Sequence, residues 1–215
     1  VFPITKKMQN FIFDIDGTLI DTLDMYMPAM IQTLRNHGYQ VAPEDEEETM
    51  HRLFGITGVD ALRIFGVKED EIAPMVKEWF ALSYQREDRV KILPGIPEAL
   101  QMLADQGKNL AVATSKLQSE YDHFKQQFAF AKLFDTVITS DDTKKHKPDP
   151  EPILAAVTKM GADPATSVYV GDTINDLKAA KAAGVKFAGA LYGSANPDAI
   201  KDADFPLTSP ADLLK

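Results

Sequence analysis

Residues 10–22 read Asn-Phe-Ile-Phe-Asp-Ile-Asp-Gly-Thr-Leu-Ile-Asp-Thr, and the fold follows from how this stretch is built. Phe11, Ile12, Phe13 and Ile15 surround Asp14 in a short apolar run. Such a run without alternation predicts a strand buried on both faces. A carboxylate inside it is costly unless it is paired, hydrogen-bonded or bound to a metal, so Asp14 needs a reason to be there. Outward from this strand, similar runs recur at Leu110–Thr114, Thr136–Thr139, Ser167–Val170 and Lys186–Leu191. Helical patterns lie between them. Ile96–Gln106 carries Ile96, Ala99, Leu100 and Leu103 on one face, follows Pro94-Gly95 and stops at Gly107. Pro150–Met160 and Ile174–Ala183 stop in the same way at Gly161 and Gly184, the residue type that most easily takes the left-handed conformation ending a helix. Strands alternating with helices predict an α/β fold: a Rossmann-like, doubly wound parallel sheet covered on both faces.

One stretch breaks this rhythm. Between Thr22 and Arg86 no segment reads as a strand, whereas Met25–Asn36, Glu44–Leu53 and Glu69–Tyr84 read as helices. Gly55–Val59 reads as a loop, small and mostly apolar. The expected organisation is an α/β core of residues 1–21 and 87–215 with an inserted all-helical cap of residues 22–86. The acidic run Glu44–Glu48 reads as a solvated helix start favoured by the helix dipole.

The 215 residues are 45% hydrophobic and 26% charged, enough to bury a sizeable core. A net charge of −9 disfavours nucleic acid as a partner. It also repels small phosphate esters at long range, so any phosphate site must be a local basic or amide-lined pocket helped by a cation. With no cysteine, disulfides, thiolate metal sites and cysteine nucleophiles are excluded. No apolar run approaches the roughly 18 residues that a membrane span needs, and the start shows no signal-peptide pattern. A cytoplasmic location without membrane association is the expectation.

In open parallel sheets reactive groups gather beyond the carboxyl ends of the strands. The first strand ends in Asp14-Ile15-Asp16-Gly17-Thr18, the second in Thr114-Ser115, and the fourth in Gly171-Asp172 with Asp176 one helical turn on. Lys147-Pro148 follows the third strand. One crevice should therefore hold four carboxylates, two hydroxyls and an ammonium group. These types suit phosphoryl transfer. A carboxylate can attack phosphorus and split one hard step into two. Clustered carboxylates bind a hard cation such as magnesium. Hydroxyls, backbone amides and a lysine can hold the equatorial oxygens, and a second carboxyl can protonate the leaving oxygen.

Four segments together resemble the motifs of the haloacid dehalogenase (HAD) superfamily: Phe-Asp-Ile-Asp-Gly-Thr-Leu-Ile-Asp-Thr at 13–22, Thr-Ser at 114–115, His-Lys-Pro-Asp-Pro-Glu-Pro at 146–152, and Gly-Asp-Thr-Ile-Asn-Asp at 171–176. Their order and spacing match, and the resemblance covers nearly the whole chain. The helical insertion is similar to the cap of the phosphoglycolate phosphatase and β-phosphoglucomutase branch. The resemblance implies that Asp14 is the nucleophile and a magnesium ligand. It makes Asp16 the general acid/base, whose backbone carbonyl also binds magnesium. Asp172 becomes the third protein ligand, and Asp176 supports the metal or orders its water. Thr114 and Lys147 hold the phosphoryl oxygens, assisted by the Ser115 backbone.

The expected activity is hydrolysis of a small phosphorylated metabolite with Mg2+, in the manner of phosphoglycolate phosphatase. The same residues would also serve a β-phosphoglucomutase-like phosphomutase or a pyrophosphatase, and an inactive phosphate-binding module is the non-enzymatic alternative. Phosphonoacetaldehyde hydrolysis would need a cap lysine, and none lies in His51–Asp60. Dehalogenation is disfavoured because Asp16 marks the phosphate-handling branches. Arg52, ahead of the Gly55–Gly58 loop, is the candidate for substrate specificity.

Overall fold

The computed structural model describes residues 3–215 and shows two compact units. One comprises the residues up to Leu19 together with Ile92–Lys215; the other is Ile20–Lys91.

The first unit opens with a single-turn helix α1 (Ile4–Lys7) and strand β1 (Asn10–Phe13). The second unit begins with β2 (Ile20–Asp21) and contains α2 (Leu23–Asn36), α3 (Glu46–Leu53), α4 (Gly58–Phe65) and α5 (Glu69–Tyr84). At its end β3 (Lys91–Ile92) pairs with β2. The remaining elements are α6 (Ile96–Asp105), β4 (Asn109–Ala113), α7 (Gln118–Gln127), β5 (Thr136–Ile138), α8 (Glu151–Met160), β6 (Ser167–Gly171), α9 (Ile174–Ala183), β7 (Lys186–Ala190) and β8 (Phe205–Leu207).

The main sheet runs β5-β4-β1-β6-β7-β8, and every pairing is parallel. The chain winds from β1 to one side through β4 and β5, then crosses to the other through β6, β7 and β8. This is the doubly wound order, and its switch point lies between β1 and β6. Phe11, Ile12 and Phe13 are fully buried, as the uninterrupted apolar run requires. Ile12 pairs with Ala111 on one side and Tyr169 on the other, and these residues join Ile153, Ala156, Ala179 and Ala180 from α8 and α9 in one core cluster. The alanines of α9 let that helix pack closely on the strands.

The short elements α1, β2 and β3 are not in the sequence reading, and three larger ones also differ from it. Strand β8 was not expected, because Pro206 cannot donate to a ladder; it occupies the sheet edge, where a missing N–H is tolerated. Helix α7 buries little beyond Tyr121, Phe124 and Glu120, so its apolar pattern is faint. In the helical unit, Gly58 and Val59 open α4 rather than extend a loop. Thr57 caps that helix by accepting from the Asp60 amide at 3.1 Å. The core of this unit gathers Met30, Leu34, Leu53, Leu62, Met75 and Trp79, and the Trp79 indole N–H donates to the Tyr26 carbonyl at 2.8 Å. Among the described residues no helix is long and apolar enough to cross a membrane.

Candidate active site

Asp14 stands one residue beyond β1, at the switch point. Its amide donates to the Val170 carbonyl at 2.9 Å, which extends the β1–β6 ladder and fixes its backbone. The residue is 2% exposed. Oδ1 accepts from the Ile15 amide at 2.8 Å. Oδ2 is buried without a hydrogen-bond partner, although the Lys147 ammonium lies 3.2 Å away.

Lys147 arrives on the segment between β5 and α8, and its peptide bond to Pro148 is cis. Its Nζ donates to Asp176 Oδ1 and to the Tyr169 hydroxyl, each at 2.8 Å. Asp176 is placed by the start of α9. The Thr173 hydroxyl accepts from the Asp176 amide at 3.2 Å. In return Asp176 Oδ2 accepts from the Asp172 and Thr173 amides at 3.0 and 3.1 Å. This reciprocal cap folds the carboxylate back under the strand end, so both of its oxygens are engaged. Gly171 makes room for it, since a Cβ there would meet the Asp176 side chain at 2.6 Å.

Asp172 ends β6. Its Oδ1 accepts from the Thr18 hydroxyl at 3.1 Å, while Oδ2 is buried without a hydrogen-bond partner. Gly17 lies against it with φ +78°, and a Cβ at Gly17 would fall 2.1 Å from Asp172 Oδ2. The turn after β7 closes on the same spot. The Tyr192 hydroxyl donates to the Thr18 carbonyl at 2.8 Å, and the Ser194 hydroxyl donates to the Asp172 carbonyl at 2.6 Å. A Cβ on Gly193 would meet the Gly17 carbonyl oxygen at 2.1 Å.

Asp16 is partly exposed and pairs with the Lys116 ammonium at 3.2 Å. Thr114, buried at the end of β4, accepts the Lys116 amide on its Oγ1 at 3.1 Å; Ser115 beside it is partly exposed. Thus Asp14, Lys147, Asp176 and Asp172 interlock directly, and Asp16 joins the Thr114–Lys116 turn through Lys116. Arg52 lies in the helical unit, exposed on α3, where it lines a recess with Asp45, Glu48 and Phe65.

Sequence reasoning missed Lys116, Tyr169, Tyr192 and Ser194. Tyr192 and Ser194 were within reach, because the strand-end rule also applies to the fifth strand. Lys116 follows Thr114-Ser115 directly, but a lysine beside a turn carries no signal of burial. Tyr169, in the middle of a buried strand, reads as an ordinary core aromatic.

Burial dominates the electrostatics. It pushes the Asp14 carboxyl up to about 8, against the pull of Lys147 and with the push of Asp176 and Asp16. Burial, reinforced by Asp176 and Asp14, also holds Asp172 well above the usual carboxylate range. Burial alone would lower the Lys147 ammonium, but Asp14 and Asp176 more than offset it and hold it well above an ordinary lysine. Four carboxylates face two ammonium groups here, leaving two formal negative charges that one divalent cation would balance. The donor set fits such an ion. One oxygen each of Asp14, Asp172 and Asp176 lie within 4.8 Å of one another, and the unpartnered oxygens belong to Asp14 and Asp172. Hard carboxylate oxygens in that cluster suit magnesium.

Comparison with known proteins agrees with this architecture. The haloacid dehalogenase-like hydrolase family matches residues 11–190. Pyrophosphatase PpaX of Bacillus velezensis is 30% identical over 97% of this chain and 96% of that protein. Phosphoglycolate phosphatase of Aquifex aeolicus is 32% identical over 97% and 96% respectively. The crystal structure of a hydrolase from Pseudomonas syringae superposes with a TM-score of 0.81 at 30% identity, covering 96% of each chain. The chain belongs to the haloacid dehalogenase-like hydrolase family.

Proposed function

We propose that this protein is a magnesium-dependent phosphatase that hydrolyses a small phosphomonoester through an aspartyl-phosphate on Asp14. The observation that carries the reading is the state of the Asp14 carboxylate. One oxygen is pinned by the Ile15 amide, and the other is buried, unpartnered and 3.2 Å from an ammonium group. A nucleophile needs that combination of fixed direction, free lone pair and nearby positive charge.

In the first half-reaction Asp14 Oδ2 attacks phosphorus, the ester P–O bond breaks, and Asp16 gives its proton to the leaving oxygen. In the second, Asp16 takes a proton from water, the water oxygen attacks phosphorus, and the bond to Asp14 breaks to release inorganic phosphate. Lys147 and the Thr114–Ser115 turn hold the equatorial oxygens as charge moves. Asp14, Asp172 and the Asp16 carbonyl would hold magnesium, with Asp176 supporting them from behind. Bound there, the ion supplies the positive charge that lets an anionic carboxylate approach a phosphate dianion. Relatives named as a pyrophosphatase and a phosphoglycolate phosphatase favour a compact, anionic substrate. Arg52, exposed on α3, is the candidate for selecting it.

The test is a labelling experiment with a 32P-labelled alkyl phosphate and magnesium, quenched in acid during turnover. Label should appear on the peptide containing Asp14. Asp14→Asn should lose labelling together with about a thousand-fold or more of the turnover. Label on another residue, or an Asp14→Asn variant that retains more than a few per cent of activity, would refute the assignment.

A further inference from the structure

Tyr169 is wholly buried on β6, yet its hydroxyl is not idle. It donates to the Ala113 carbonyl at the end of β4, at 2.8 Å, and accepts from the Lys147 ammonium at the same distance. The phenol therefore reaches across the face of β1 from one strand of the switch point to the far neighbour. Ala111 and Ala113, fully buried on β4, leave space for the ring. The hydroxyl hydrogen is committed to Ala113, so the oxygen can meet Lys147 only with a lone pair.

An ammonium group has three hydrogens on a freely turning carbon–nitrogen bond. Asp176 Oδ1 takes one and the Tyr169 hydroxyl takes another. Asp14 Oδ2 is the next oxygen, at 3.2 Å, and it accepts no hydrogen bond. Two anchors thus stop the rotation and leave the third hydrogen uncommitted, on an ammonium group 3.2 Å from the nucleophile's bare oxygen. With Asp176 alone, the ammonium could pivot about a single bond.

We propose that Tyr169 is a positioning residue for the reaction, which together with Asp176 locks the Lys147 ammonium so that its free hydrogen meets the phosphoryl oxygen at Asp14. The inference rests on the phosphatase reading above. It also explains why a core position carries a hydroxyl rather than a plain phenyl ring.

Tyr169→Phe removes the hydroxyl and keeps the ring packing. The experiment is a double-mutant cycle of Tyr169→Phe and Lys147→Met, with kcat and KM measured on p-nitrophenyl phosphate with magnesium, well below each variant's Tm. Lys147→Met should lower kcat/KM by about a hundred-fold or more. Tyr169→Phe should lower it by roughly ten-fold, the scale of one hydrogen bond to a charged group. In the Lys147→Met background Tyr169→Phe should then cost nothing further, because the group it acts through is gone. If the double variant turns over too slowly, the same cycle is read in the Kd for inorganic phosphate. A Tyr169→Phe enzyme within two-fold of the wild type, or losses that multiply in the double variant, would overturn the positioning role and leave the phosphatase reading intact. A fully active Lys147→Met enzyme would overturn both the positioning role and the place of Lys147 at the phosphoryl oxygens.

Discussion

Replacing Asp14 with asparagine should stabilise the metal-free protein while destroying its activity. The reason lies in what burial does to the carboxyl. In the unfolded chain Asp14 ionises at 3.8, whereas in the fold it is raised to about 8. Between these values the folded state binds a proton that the unfolded state releases. Stability drawn from Asp14 is thus fully present below about pH 4 and is lost as pH rises toward about 8. Each pH unit above the unfolded value costs about 1.4 kcal/mol, so at neutral pH the burial of Asp14 costs up to about 4 kcal/mol. Water entry and side-chain relaxation reduce this, and about 2 kcal/mol is a working figure. For a chain of this size that corresponds to a Tm about 6 °C higher for Asp14→Asn. The assay is urea unfolding of both proteins in chelator at about pH 5, 6, 7 and 8. The variant's advantage should grow with pH, then shrink when magnesium is added, because the cation favours the wild-type carboxylate. An advantage that does not change with pH, or a variant less stable than the wild type in chelator at neutral pH, would refute the reasoning.

Two further substitutions probe close packing. Gly17→Ala puts an L side chain at φ +78° with its Cβ 2.1 Å from Asp172 Oδ2. The strain should cost about 1 kcal/mol and the displaced carboxylate about a hundred-fold in kcat; full activity in steady-state assay would show that Asp172 need not stay where it is. Gly58→Ala places a Cβ 2.4 Å from the Trp79 ring and should destabilise the helical unit by about 1–3 kcal/mol. Trp79 is the only tryptophan, so its fluorescence during urea unfolding reports this directly, and an unchanged midpoint would count against the packing described.

The parts of this protein that were legible in the sequence are those where local pattern and chemistry coincide. An unbroken apolar strand ending in Asp14 can be buried only inside a covered parallel sheet, and the glycines at 107, 161 and 184 mark helix ends by their conformational freedom. Polar residues at successive strand ends converge because all the strands point the same way. That logic places Asp14, Thr114, Lys147 and Asp172 on one rim before any coordinates are known.

Where local pattern is weak, the chain was silent. Strand β8 carries Pro206, α4 begins at Gly58, and α7 exposes most of its surface, so each is held by its neighbours rather than by its own propensity. The partners of the reactive groups were hidden for a different reason. Lys116 and Tyr169 are ordinary residues in sequence, and only the approach of distant segments gives them work. Tyr169 meets Lys147 across 22 positions and Ala113 across 56. Sequence alone determined five of the six sheet strands, the order of their reactive ends and the residue types available there, since these follow from periodicity and strand polarity. Tertiary structure alone decided which oxygens are engaged, which are left bare, and which buried groups hold the ammonium in place, because burial and hydrogen-bond geometry arise only when separate strands and turns are packed together.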